Sequence, residues 1–127
     1  MRAERKIIFH GQYFAEFYLE QTTREQEKIE YVFKVIKTVE RVPKKFLKHL
    51  EDTDGLFEIR IEMENNIYSI FCCFDEGNIV VLFNAFQKES QKTPKQELAL
   101  SQKLTKEYLG QKEKTDEKGR NKKRKDL

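Results

Sequence analysis

Residues Leu56–Glu97 read LFEIRIEMENNIYSIFCCFDEGNIVVLFNAFQKESQKTPKQE: three runs of strand-forming residues, two short polar turns and a cationic, hydroxyl-rich exit. In the first run Phe57, Ile59, Ile61 and Met63 alternate with Glu58, Arg60 and Glu62, the period of a strand with one apolar and one polar face. Asn65-Asn66 can supply the positive φ angles of a tight hairpin turn. Ile67–Phe74 then runs back, and Glu76-Gly77 turns the chain into Ile79–Phe86. The second and third runs are apolar on both faces, as expected of central strands covered on both sides. An antiparallel meander is therefore the expected centre of the fold.

Parity gives the meander a register. A two-residue turn pairs even positions of the first strand with odd positions of the second, and those with even positions of the third. Arg60 is then expected to share a face with Ser69, Phe71, Asn84, Phe86 and Lys88, and a β-bulge would reverse the assignment.

Outward from the meander, Lys6–Phe9 has the length of an edge or initial strand, and Gly11 ends it. Phe14, Phe17 and Tyr18 recur at helical spacing and predict a short helix over Gln12–Glu20. Thr23 followed by Gln26 has the pattern of a capping box. The helix it opens carries the stripe Ile29, Val32, Phe33, Ile36 and Val39, and Pro43 is expected to stop it. Pro43 to Gly55 reads as a connector, with Lys44, Lys45, Lys48 and His49 among Phe46, Leu47 and Leu50, and Asp54-Gly55 as its turn. After the meander, Thr93 and Pro94 suit the N-cap and first position of a helix. Leu100, Leu104 and Tyr108 form its docking stripe, and Gly110 is its expected end. The fold class is α+β, a small antiparallel sheet with two N-terminal helices packed on one face and a C-terminal helix. Residues 1–109 form the domain, and 110–127 are expected to be a disordered basic tail.

Composition narrows the function classes. The 127 residues suit one domain, and 38% hydrophobic content with ten Phe and five Tyr can fill one modest core. No apolar run approaches a membrane span, so no membrane partner is expected. MRAERKIIFH lacks the apolar centre of a secretory signal. Cys72 and Cys73 are adjacent in a strand and so face opposite ways; with no spaced cysteine pattern, a reducing, cytoplasmic setting is expected. The net charge is +3, yet Gly110–Leu127 holds eight Lys/Arg and four Asp/Glu, 8 − 4 = +4, which leaves +3 − 4 = −1 for the other 109 residues. Affinity for nucleic acid must then come from a local patch or from the tail, where Lys122, Lys123, Arg124 and Lys125 could act as a flexible anchor.

Two His and two Cys without ligand spacing, and no glycine-rich phosphate loop, leave no cofactor or metal to expect. The cationic group remains. RNA carries its own nucleophile, the 2′-hydroxyl, so an enzyme can cut it without metal. It must orient that hydroxyl, spread the charge of the pentacoordinate phosphorane and protonate the leaving 5′-oxygen. Arg suits the second task through its fixed fork of donors; Lys or His can move the protons. Arg60, Lys88, Lys92 and His49 are the candidates for the chemistry, with Lys45, Lys48, Ser69, Asn84, Gln87 and Ser90 as RNA contacts. With 37% of the chain charged, each lysine also has the plain reading of a solvated surface group.

Three stretches carry a family resemblance: VPKKFLKHLEDTDGLFEIRI, IYSIFCCFDEGNIVVLFNAFQK and SQKTPKQELALSQKLTKEYL. Together with the order of elements over roughly residues 5 to 109, they resemble the RelE/HigB-like toxins of bacterial type II toxin–antitoxin modules, in the branch first described as phage-derived. The resemblance implies a compact α/β toxin that enters the ribosomal A site and cuts mRNA with basic residues on the sheet. It implies a cognate helix-turn-helix antitoxin as partner, with operator DNA bound only through that antitoxin. The strand arginine of the family corresponds to Arg60, the preceding loop cations to Lys45, Lys48 and His49, and the exit-loop cations to Lys88 and Lys92. This chain has Ser69 where relatives usually have arginine, Ala85 where glycine is usual, and Glu89 where a basic residue is common. The resemblance therefore implies an endoribonuclease weakened by loss of a donor. The alternatives are an inactive homologue kept for antitoxin binding and operon regulation, or a ParE-like gyrase inhibitor.

Overall fold

The computed structural model describes residues 3–89 and 92–126, with side chains as far as Glu113 in the last helix. Its elements are β1 (Lys6–Phe9), α1 (Tyr13–Leu19), α2 (Thr23–Thr38), β2 (Leu47–His49), β3 (Leu56–Met63), β4 (Asn66–Asp75), β5 (Ile79–Lys88) and α3 (Lys95–Asp126). The five strands form one sheet in the order β1-β5-β4-β3-β2. β1 runs parallel to β5, and the other pairings are antiparallel. The fold is α+β as expected, with two departures in the sheet. The parallel β1 makes it mostly rather than wholly antiparallel, and β2 lies inside the supposed connector.

The first turn of α2 is capped by Thr22 and Glu25, one residue before the expected Thr23 and Gln26. Thr22 is extended (φ −69°, ψ 164°), and its hydroxyl accepts the Glu25 N–H at 3.2 Å while Glu25 Oε1 accepts the Thr22 N–H at 3.0 Å. Glutamate makes the stronger reciprocal acceptor, because the N-terminal end of a helix favours negative charge. α2 also stops before Pro43. Val39 is already extended, and the Arg5 guanidinium donates to the carbonyls of Ile36, Val39 and Glu40 at 2.7 Å each. That grip satisfies carbonyls a helix end leaves open. Val39 is accordingly exposed, not part of the core stripe.

α1 and α2 cover one face of the sheet. Phe14, Ile29, Val32 and Ile36 bury against Ile59, Ile61, Tyr68, Ile70, Cys72, Val80 and Leu82. The other face is covered by the first half of α3, whose Leu98, Leu100, Leu104 and Tyr108 meet Leu56, Phe71, Cys73, Val81 and Phe83. Cys72 and Cys73 thus lie under different layers, both reduced. α3 does not end at Gly110. It continues to Asp126, and Lys112 pairs with Asp75 at 2.6 Å, so the folded body extends past residue 109. The segment is rich in Lys and Arg, straight-chain residues that propagate a helix well enough to carry Gly110 and Gly119.

Turn chemistry shifts both hairpins. Met63 pairs with Asn66, so the first turn is Glu64-Asn65, with Glu64 at φ 56°. Asp75 pairs with Ile79, so the second is a three-residue loop whose Gly77 and Asn78 sit at φ 74° and 62°.

Candidate functional site

The sheet face under the start of α3 carries most of the polar residues singled out above. Arg60 pairs with Ser69, Ser69 with Phe86, Ile67 with Lys88, and Lys48 with Glu58. Side chains at paired positions share a face. Lys48, Glu58, Arg60, Ser69, Phe86 and Lys88 therefore lie on one side.

Glu58 stands in the middle of this group and is only 3% exposed. The buried Ser69 hydroxyl donates to Glu58 Oε2. Lys88 Nζ lies 3.0 Å from the same oxygen, its side chain 6% exposed. A carboxylate removed from water needs a counter-charge and hydrogen bonds, and Lys88 and Ser69 supply them. Lys88 is thus not a solvated cation awaiting a phosphate; it is half of an internal ion pair.

Arg60 is partly open on this face. Its Nε donates to Glu62 Oε1 at 2.8 Å, with the Arg60 side chain 27% exposed and that of Glu62 59%. Its backbone N–H donates to the Phe46 carbonyl at 2.9 Å, which ties it to the loop entering β2. Lys48 is exposed on the rim and lines a depression with His49, Leu50, Glu51, Thr93 and Leu98. Lys92, also exposed, lines a second with Phe86, Thr93 and Glu97 at the start of α3.

Asn84 has a different task from the RNA contact expected of it. Between Ile70 and Cys72 the register shifts, so that Phe83 and Asn84 together face Phe71. This bulge turns Asn84 to α3, where its Nδ2 donates to the Glu97 carbonyl at 2.9 Å and to Glu97 Oε1 at 3.0 Å. Its Oδ1 is buried without a hydrogen-bond partner among the described residues.

Two further candidates have side chains off the Arg60 face. His49 pairs with Phe57, places its ring 5.2 Å from that ring edge to face, and so belongs to the opposite side from Arg60. Gln87 pairs with Tyr68 and donates to Asn66 Oδ1 at 3.1 Å, also on the opposite side. Alternation along the strands excludes both from the Arg60 face. Lys45 lies at the corner, its ammonium 4.9 Å from the Phe46 ring centre. Ser90 falls outside the described residues.

Glu58 was the member missed from sequence, where it reads as one more polar-face residue beside Glu62. A signal existed. Its partner strand is apolar on both faces, which places Glu58 beside the middle of the sheet. Among the described residues no group of three His, Cys, Asp or Glu is placed to hold a metal ion. None of their helices is long and apolar enough to cross a membrane. A broad concavity lies away from these groups, under β1 and the helical hairpin, lined by Phe9, Phe14, Tyr18, Leu19 and Phe33.

A search of curated proteins returns no match to the chain. The family model described as phage-derived protein Gp49-like matches residues 16–106, from α1 through the sheet and into α3, well over half of the chain. The match takes in the Glu58–Lys88 pair, Arg60 and the docking half of α3, and it agrees with the phage-derived branch to which the three stretches pointed. This chain belongs to the phage-derived Gp49-like family, a RelE-like family associated with toxin–antitoxin modules.

Proposed function

We propose that this protein is the toxin of a type II toxin–antitoxin module, neutralised by a cognate helix-turn-helix antitoxin, and that it cuts mRNA in the ribosomal A site without metal. The observation that carries the reading is the placement of Arg60, partly exposed, on the same sheet face as Lys48 and Lys88. A guanidinium so placed can donate to two phosphorane oxygens at once. Lys48 and Lys92 on the rim would meet the flanking phosphates. The test is Arg60→Ala. The folded variant is expected to relieve growth arrest on expression and to lose A-site cleavage, by about 10²–10³ in rate for one lost transition-state donor. Unchanged toxicity in a stable Arg60→Ala protein would remove Arg60 from the chemistry.

A second reading has its own support. Lys88 is held by Glu58, and Ser69 stands where the family resemblance expects arginine. A face short of one free cation suits a homologue that binds its antitoxin and regulates the operon without cutting RNA. Wild-type protein that forms the antitoxin complex yet leaves programmed ribosomes uncut would decide for this reading.

A further inference from the structure

Across the edge strand β2 from the Arg60 face, two aromatic rings stand beside two lysine ammonium groups. Tyr31, on α2, is 53% exposed and meets Phe46 edge to face, with ring centres 6.2 Å apart. Lys28 Nζ lies 5.3 Å from the Tyr31 ring centre, and Lys45 Nζ 4.9 Å from that of Phe46. Both distances fall within the roughly 6 Å over which a ring attracts a cation. Neither lysine has an ion-pair partner among the described residues. Glu30, on the same helix, is turned to Tyr18 and raises its phenol pKa, after burial, the larger cause.

Half-open rings with uncompensated positive charge beside them match the chemistry of unpaired nucleic acid. A base stacks on the ring while its phosphates meet the ammonium groups, with no need for a particular sequence. A duplex offers no free base faces. The corner is also continuous with Arg60, because the Phe46 carbonyl accepts the Arg60 N–H at 2.9 Å. Two residues beyond Phe46, Lys48 already lies on the Arg60 face. One strand of RNA could pass from the rings over the β2 edge to the guanidinium.

We propose that Tyr31 and Phe46, with Lys28 and Lys45, form a stacking platform for single-stranded RNA, holding nucleotides that flank the one reaching Arg60. The choice of RNA rests on the function proposed above; the platform itself does not depend on cleavage. The test uses the full chain and a labelled twelve-nucleotide RNA made uncleavable by 2′-O-methylation, titrated by fluorescence anisotropy at low salt. Tyr31→Ala is expected to weaken binding by about fivefold to a hundredfold, the range for losing one stacked base, while Tyr31→Phe keeps wild-type affinity. Replacing Lys28 and Lys45 together by Gln should flatten the salt dependence of log affinity by about 1.4, two single-strand phosphate contacts. Equal affinity of Tyr31→Ala and wild type, no binding by wild type, or competition by duplex as effective as by single strand would each overturn the platform. So would a Tyr31→Ala change that spares RNA but abolishes binding of the antitoxin. If Tyr31→Ala binds like wild type while Arg60→Ala loses cleavage, the platform fails and the endonuclease stands. If Tyr31→Ala loses binding while wild type cuts nothing on the ribosome, the platform stands and the endonuclease fails.

Discussion

Glu58 and Glu62 are two positions apart on one strand and look alike in sequence, yet Glu58 is 3% exposed and the Glu62 side chain 59%. Alternation gives the face of a side chain but not its depth, which depends on what α3 and β2 cover. Arg60 and Ser69 were legible on one face because that needs only strand parity; their direct pairing and the Glu58–Lys88 pair were not. Removing one partner of a buried ion pair leaves the other charge uncompensated. Glu58→Ala is therefore expected to lower the unfolding free energy by about 3–5 kcal/mol, read by urea denaturation. Glu58→Leu combined with Lys88→Met should cost clearly less than the two single changes summed. Ser69→Arg tests the site from the other side. An arginine there can take over Glu58 and release the Lys88 ammonium to the face, at an overpacking cost of about 1–3 kcal/mol. A-site cleavage should rise; no gain in a folded variant would show that neither the new guanidinium nor the freed Lys88 serves the chemistry.

At the scale of elements, the expected sharing of a face survived for a reason the sequence does not show. The β4–β5 turn has three residues instead of two, which by itself would put Lys88 on the wrong face. The bulge at Phe83 and Asn84 adds a second offset and restores the parity between Ser69 and Phe86. Neither offset shows in a run as uniformly apolar as IVVLFNAF, where every register buries hydrophobic groups equally well. The end of α3 was missed because Gly110 reads as a stop signal, while the Asp75–Tyr108–Lys112 contacts are long-range. Lys112 and the Tyr108 hydroxyl both serve Asp75. Hydrogen bonding from Lys112, then from Tyr108, holds the Asp75 carboxyl down at about 2. Burial, then Asp75, pushes the Tyr108 phenol up to about 12. Because the folded Asp75 value is depressed, its contribution is complete above the unfolded value near 4 and is lost as pH falls through about 2. Truncation after Leu109 removes Lys112 and is expected to lower Tm and shrink that acid-dependent loss. Truncation after Glu113 should leave both unchanged while weakening ribosome association at low salt. Equal melting of the two truncations would deny Lys112 its part in holding α3.

For the whole molecule, the division of charge sets how substrate can be met. The first 109 residues carry −1, and all of the net positive charge lies beyond them. A body without a basic groove gains little from counterion release, so naked mRNA should be cut poorly and programmed ribosomes, which align the codon, cut well. Comparing cleavage of one transcript free and in the A site at physiological salt checks this; rapid cutting of the free transcript would point to a stand-alone ribonuclease. The two-layer build has another consequence, through the neighbouring thiols. Cys72 is sealed under the α1–α2 layer and Cys73 under α3. Burial raises the pKa of both, that of Cys73 to about 11, so neither offers much thiolate at neutral pH. A thiol-modifying reagent can reach each one only when its own cover lifts. Two adjacent atoms of sulfur thereby keep separate time: the rate at which each is labelled clocks the detachment of one helical layer, and a partner that clamps only one layer should slow only one of the clocks.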